Sequence, residues 1–276
     1  YYFNGKLSYE EALKRAEKTF EYNYTFTLPI LMSGQQKVAS MVGGDMDRTI
    51  TKSTDLINLH SIKAKPEKKK GVQSEKDKKF YNQNEFVRYV RQAWLLIGQA
   101  RTWKGSHDEA RMTFEYVLLQ FPETPMWYEA NVWLARLDMF ANDMMGGEER
   151  LRAMSTNRKY PKDKHFTHLL ESSWAYYYQK QGSTDKAINH LQLALDNAPN
   201  KLHKQRYNYI LGQLYQKQAD ITQSNKYFKK VLSLNPNYEM TFNAKVNLAS
   251  NYTGGKGSGD LIKELKKMAR DEKNED

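Results

Sequence analysis

Small and large apolar residues recur along these 276 residues in a fixed order. Gly98 is followed twelve positions on by Ala110, four further by Phe114 and eight further by Pro122, with Trp94 and Ile97 just ahead of it. The order returns at Gly212, Ser224, Phe228 and Pro236, with Leu211, Tyr215 and Val231 in step. It returns again at Ala175, Ala187, Leu191 and Pro199, with Trp174, Tyr178 and Ala194, and in a weaker form at Leu134, Ala135, Gly147 and Leu151. The anchor positions Gly98, Ala135, Ala175, Gly212 and Ala249 are 37, 40, 37 and 37 residues apart. Apolar spacings of three and four within each period predict two helices per period, and a proline that cannot continue a helix marks the exit of the second.

The small positions are required where two helix backbones approach closely, and the large ones fill the space between neighbouring periods. No single period can bury its own apolar face, so stability comes from stacking. This order of residue types is that of the tetratricopeptide repeat (TPR). The predicted fold is all-α, a TPR-type helical-repeat solenoid in which antiparallel helix pairs build a right-handed superhelix.

Ahead of the repeats the pattern is less regular. Tyr1–Lys6 reads as the frayed end of a helix. Ser8 and Glu11 form a capping-box pair that would start the next one, with Ala12, Arg15, Ala16 and Phe20 in the manner of a second repeat helix. Pro29 and the polar stretch Ser33–Ser40 predict a loop, and Gly43-Gly44-Asp45 precedes a helix carrying Met46, Ile50, Ile57 and Ile62. The boundaries predicted are a partial TPR unit plus helix over 1–62, a Lys-rich linker or disordered insertion over 63–80, and an array of about five helix pairs over 81–276. The last pair is expected to turn at Gly254–Gly259 and to resume at Asp260, a good N-cap. Gly105, Gly182 and the pair Gly146-Gly147 are expected at the corresponding turns.

Composition narrows the chemistry. There is no cysteine, which excludes disulfides, thiolate metal sites and a cysteine nucleophile. No apolar run is long enough to span a membrane. The chain lacks an initiating Met and is expected to begin inside a longer one. Net charge is +11, and Lys63–Lys79 contributes a surplus of five, with eight Lys against Glu67, Glu75 and Asp77. Like charges in a row extend and repel, so this stretch reads as a solvated spacer; its alternative is contact with an anionic surface or nucleic acid. No aromatics interleave the lysines, so base stacking is not supported there.

No nucleophile with a local base and no carboxylate pair on a rigid frame is evident, and no catalytic residue, cofactor site or metal site is predicted. His165 and His168 lie three apart without a third ligand at metal spacing. Gly254-Gly255-Lys256-Gly257-Ser258-Gly259 lacks the phosphate-loop spacing. The sequons at Asn23 and Asn251 are too common by chance to carry weight. A TPR array instead binds polypeptide along the face built from first helices. The anchor positions place Gln99, Arg136, Tyr176, Gln179, Tyr209, Gln213 and Gln216 on that face. A merely soluble inner surface is the competing reading. Only Arg136 would suit a carboxylate clamp, which disfavours binding in the manner of chaperone-tail receptors.

Four segments stand out beside the repeat frame: Tyr1-Tyr2-Phe3-Asn4-Gly5-Lys6, Met46-Asp47-Arg48-Thr49-Ile50 running to Leu59-His60-Ser61-Ile62, the run Ala93–Ala100 and the run Tyr128–Arg136, of which the Asn-Gly and His-Ser-Ile elements are not part of the TPR frame. Over roughly the first 140 residues the chain resembles the PorW/SprE family of Bacteroidetes TPR lipoproteins, tied to type IX protein secretion and gliding motility. The resemblance implies a non-enzymatic periplasmic scaffold, tethered to the outer membrane through a lipid anchor upstream of Tyr1. It would link periplasmic ring or motor subunits to the outer-membrane translocon, with no nucleic acid as partner. The alternatives are an RNA- or anionic-surface-binding helical-repeat protein, motivated by the charge, and a generic TPR co-chaperone.

Overall fold

The computed structural model describes residues 1–252 except 69, 70, 72 and 73, together with 266 and 270. The expected turn at Gly254–Gly259 and the helix beginning at Asp260 lie outside the described residues. Those described form twelve α-helices and no strand, and they divide into two compact units.

Unit 1 comprises residues 1–20 and 31–173. It holds α1 (Tyr2–Thr19), α2 (Gln36–His60), α3 (Glu75–Tyr81), α4 (Arg88–Lys104), α5 (His107–Gln120), α6 (Pro125–Phe140), α7 (Met144–Thr156) and the first part of α8 (Lys164–Lys180). α1 packs on α2, α2 on α4, α4 on α5, α5 on α6 and α6 on α7. Unit 2 comprises residues 21–30 and 174–276. It holds the rest of α8, then α9 (Thr184–Asp196), α10 (Lys201–Lys217), α11 (Ile221–Ser233) and α12 (Tyr238–Ser250).

The repeat frame is realised in both units. Ala110, Gly147, Ala187 and Ser224 are buried at the small positions, and Phe114, Leu151, Leu191 and Phe228 are fully buried four residues on. A Cβ on Gly98 would lie 2.5 Å from the Phe114 ring, and one on Gly212 would lie 2.8 Å from that of Phe228. One on Gly147 would lie 2.6 Å from the Met139 side chain. Only glycine permits those approaches.

The first helices α4, α6, α8 and α10 end in the same way. Gly105, Asn142, Gly182 and Ala219 all have positive φ, at 87°, 66°, 71° and 59°. In each turn this residue and its successor donate backbone N–H groups to the last helical carbonyls, as in Ser106 N to Arg101 O and Asp220 N to Tyr215 O. That is the Schellman arrangement, which satisfies carbonyls that would otherwise be orphaned. The residues that follow, Ser106, Asp143, Ser183 and Asp220, are the N-caps of the second helices. The expected turn at Gly146-Gly147 is therefore corrected: the turn falls at Asn142, and both glycines lie in the first turn of α7. The one 40-residue period is longer because α7 and α8 are joined by residues 157–163, whereas four residues join each other second helix to the next first helix.

Ahead of the repeats the helices are longer than expected. α1 begins at Tyr2 and runs through Ser8, because Gly5 lets it approach α2: Thr49 Oγ1 donates to Gly5 O at 3.1 Å. α2 begins at Gln36 and runs through Gly43-Gly44, anchored by the buried Val38, Val42 and Met46. The 63–80 region contains α3, started by a reciprocal capping box between Ser74 and Asp77. The excursion that carries it is closed at its base. Buried Glu85 accepts from Ser61 Oγ (2.6 Å), Ile62 N (3.0 Å) and Val87 N (2.8 Å), and Phe86 N donates to Ile62 O.

Candidate functional site

In unit 2 the inner face carries polypeptide already. Residues 21–30 lie against α8 and α10: the chain turns at residues 23–26, where Phe26 N donates to Asn23 O, then runs on through residues 27–30 with side chains holding its backbone. Gln213 accepts from Leu28 N (2.9 Å) and donates to Phe26 O (3.0 Å). Gln179 accepts from Ile30 N (3.2 Å) and donates to Leu28 O (3.0 Å). A glutamine amide has one donor end and one acceptor end, and each reads an N–H and the C=O two residues before it. Arg206 completes the grip by donating to Pro29 O (2.9 Å) and Ile30 O (2.8 Å).

The two-residue step of an extended chain turns alternate side chains to one side. Leu28 and Ile30 are accordingly buried; Phe26, two residues earlier, is 67% exposed because the alternation stops at a turn in which its N–H donates to Asn23 O. Tyr24 meets the fully buried Tyr209 edge-on, with ring centroids 5.1 Å apart. Burial raises both phenol pKa values, Tyr24's further through Tyr22 and Tyr209, while the hydrogen bond from Asn247 opposes the rise at Tyr209. Neither phenol ionises near neutral pH, so the contact is one between neutral rings.

The predicted inner-face residues divide by position. Gln179, Tyr209 and Gln213 touch residues 21–30. Tyr176 is buried on α8 with Lys180 over its ring. Gln216 instead donates to Asn251 Oδ1 on the neighbouring repeat, and the Asn251 amide donates in turn to Ser224 and Asn225. In unit 1, Arg136 is buried and donates to Ser172 Oγ, Ser173 Oγ and Leu169 O, with its guanidinium over the Trp133 ring. Gln99 is half-buried on α4. Arg206 was absent from the predicted set although it sits three residues before Tyr209, one helical step along the same face.

The inner face of unit 1 is likewise covered from within the chain. Burial raises the phenol pKa of Tyr9 on α1, against the Trp103 side chain of α4 and the charge of Arg136, which lower it. Gly34 sits against the Phe140 ring of α6 in a left-handed conformation. His165 bonds Glu129 at 3.1 Å, which raises its pKa; among the described residues no group of three His, Cys, Asp or Glu could hold a metal. No helix of the described residues is long and apolar enough to cross a membrane.

Family models of the tetratricopeptide repeat match residues 92–124 and 205–238, the two segments with the fullest frame. Twenty-two solved chains match. One, from the APC/C hetero-tetramer Cut9-Hcn1, is 16% identical with a TM-score of 0.50. That match covers 99% of this chain and 44% of that one, so this chain spans less than half its length. Another, from a functional characterisation of Pseudomonas aeruginosa pilF, is 16% identical with a TM-score of 0.45, over 65% of this chain and 86% of that one. No curated protein matches the sequence. The chain thus has the TPR helical-repeat fold, and such repeats serve as scaffolds for protein–protein interaction.

Proposed function

We propose that this chain is a non-enzymatic scaffold of the cell envelope, acting in type IX protein secretion and gliding motility. It links periplasmic ring or motor subunits to the outer-membrane translocon and is tethered to the outer membrane by a lipid anchor upstream of Tyr1. The observation that carries the scaffold reading is the grip of Gln179, Arg206 and Gln213 on an extended backbone. An inner face built to read main-chain N–H and C=O groups suits a polypeptide partner. The secretion role rests on the resemblance to the PorW/SprE family. Its segments supply α1, α2, α4 and α6, which pack together in unit 1. Of the predicted inner-face residues, Gln179, Tyr209 and Gln213 are the ones that face polypeptide in this reading, whereas Arg136 and Gln216 bond within the array.

Cross-linking with mass spectrometry on the full-length protein in its native envelope tests it. Cross-links to a large outer-membrane translocon subunit or to periplasmic ring subunits are expected. Cross-links confined to ribosomal or soluble cytosolic proteins would overturn the secretion role, and co-purifying nucleic acid with steep salt dependence would favour the RNA-binding alternative.

A further inference from the structure

We infer that residues 21–30 are a resident ligand of the unit 2 inner face, seated where an extended partner segment with aliphatic residues at alternate positions docks. Such a partner enters only after this segment leaves. The inference rests on the scaffold reading and adds the chemistry of the partner segment and the contact that regulates its access.

Three features distinguish a ligand from a permanent part of the core. The first is that the six hydrogen bonds made by Gln179, Arg206 and Gln213 go to main-chain atoms of Phe26, Leu28, Pro29 and Ile30, so any extended chain of the same register could receive them. The second is the register itself. The N–H groups read are those of Leu28 and Ile30, whose side chains are buried, and the residue between them is a proline with no N–H to offer. The site therefore selects aliphatic, any residue, aliphatic, and tolerates proline in the middle. The third is imperfect fit. The Tyr24 hydroxyl is buried without a hydrogen-bond partner among the described residues, and Phe26 projects outward. Once the segment leaves, Gln179 and Gln213 offer two free donor–acceptor pairs to an incoming strand.

The test uses the full chain, wild type and Leu28→Asp/Ile30→Asp, with a fluorescein-labelled peptide of residues 21–30 (EYNYTFTLPI) read by anisotropy. Two carboxylates cannot occupy the apolar positions, so the resident segment leaves in the variant. A tethered competitor acts at an effective concentration on the order of millimolar. The peptide should accordingly bind the double variant about 100-fold or more tightly than it binds wild type. Adding Gln179→Ala and Gln213→Ala should abolish that binding. Equal, weak binding to both forms with helix content preserved overturns the inference.

Loss of helix content in the double variant would also count against it, since a ligand is dispensable to the fold. Hydrogen exchange on the wild-type chain decides independently. The Leu28 and Ile30 amides should exchange about 100-fold faster than the core amides of α10, and exchange in step with α10 overturns the inference. Failure of the scaffold reading looks different: peptide exchange proceeds as expected while no envelope partner cross-links to either form.

Discussion

The same chemical change, glycine to alanine, should have opposite effects at two helical sites in unit 1. Gly44 lies within α2 with open space where a Cβ would stand, and Gly98 lies within α4 with three Phe114 ring atoms at 2.5, 2.8 and 2.8 Å from that position. Alanine in a helix interior is favoured over glycine by about 1 kcal/mol, because glycine loses more backbone freedom on folding. Gly44→Ala should gain most of that. At Gly98 the gain is opposed by overpacking, which typically costs about 1–3 kcal/mol. The upper end applies here because Phe114 is fully buried and stacks on Trp133, leaving the ring nowhere to move. The net expectation is a loss of about 2 kcal/mol for Gly98→Ala. For a unit of this size each kcal/mol corresponds to roughly 2–4 °C in Tm.

Urea unfolding followed by tryptophan fluorescence suits the measurement, since Trp94, Trp103, Trp127 and Trp133 all belong to unit 1. Phe114→Leu in the Gly98→Ala background should recover part of the loss. Destabilisation by Gly44→Ala would refute a continuous α2. Stabilisation by Gly98→Ala would refute the close approach of α4 and α5.

Ala219 holds a left-handed conformation that costs an L-residue about 1 kcal/mol or more; Ala219→Gly should raise the stability of unit 2 by about 0.5 kcal/mol after the entropy of the freer unfolded chain is counted, read by chemical denaturation. Asp138 is buried and paired with Arg111 (2.7 Å) and Arg150 (2.8 Å), tying α5, α6 and α7 together. Both arginines are about one-third exposed, so Asp138→Asn should cost about 2 kcal/mol, below the range for a fully buried pair, measured by the same melts. His165 has its pKa raised chiefly by the hydrogen bond to Glu129. Its contribution is therefore complete below the unfolded value near 6.5 and is lost as pH rises through the folded one. An NMR titration should show the raised pKa falling in Glu129→Gln, with little change in overall stability because the ring is exposed.

The repeat frame was legible because close backbone approach and interlocking side chains constrain residue size at fixed spacings, as at Gly98 with Phe114 and Gly212 with Phe228. Gly105 and Gly182 were legible as turns for the same kind of reason. Asn142 and Ala219 were not, since neither is a glycine and the left-handed turn there is imposed by the Schellman hydrogen bonds. Asn4-Gly5 and Gly43-Gly44 suggested breaks. Packing of α1 on α2 and the buried Val38, Val42 and Met46 outweigh the local cost of glycine, which is only about 1 kcal/mol per residue. What occupies the inner face was invisible. Residues 21–30 have no helical period, and the side chains that hold them lie 149 to 187 positions away in the chain.

The neck closed by Glu85 has an engineering consequence. Ser61, Ile62 and Val87 are joined through one buried carboxylate, so the two ends of the Lys-rich excursion are fixed to each other before its length matters. The entropy of closing such an excursion grows only with the logarithm of its length, about 0.6 kcal/mol per doubling. The stretch can therefore be lengthened, shortened or recomposed at little thermodynamic cost. A reporter domain spliced into it would leave the repeats undisturbed, which makes it the place to put a label for following the protein in living cells.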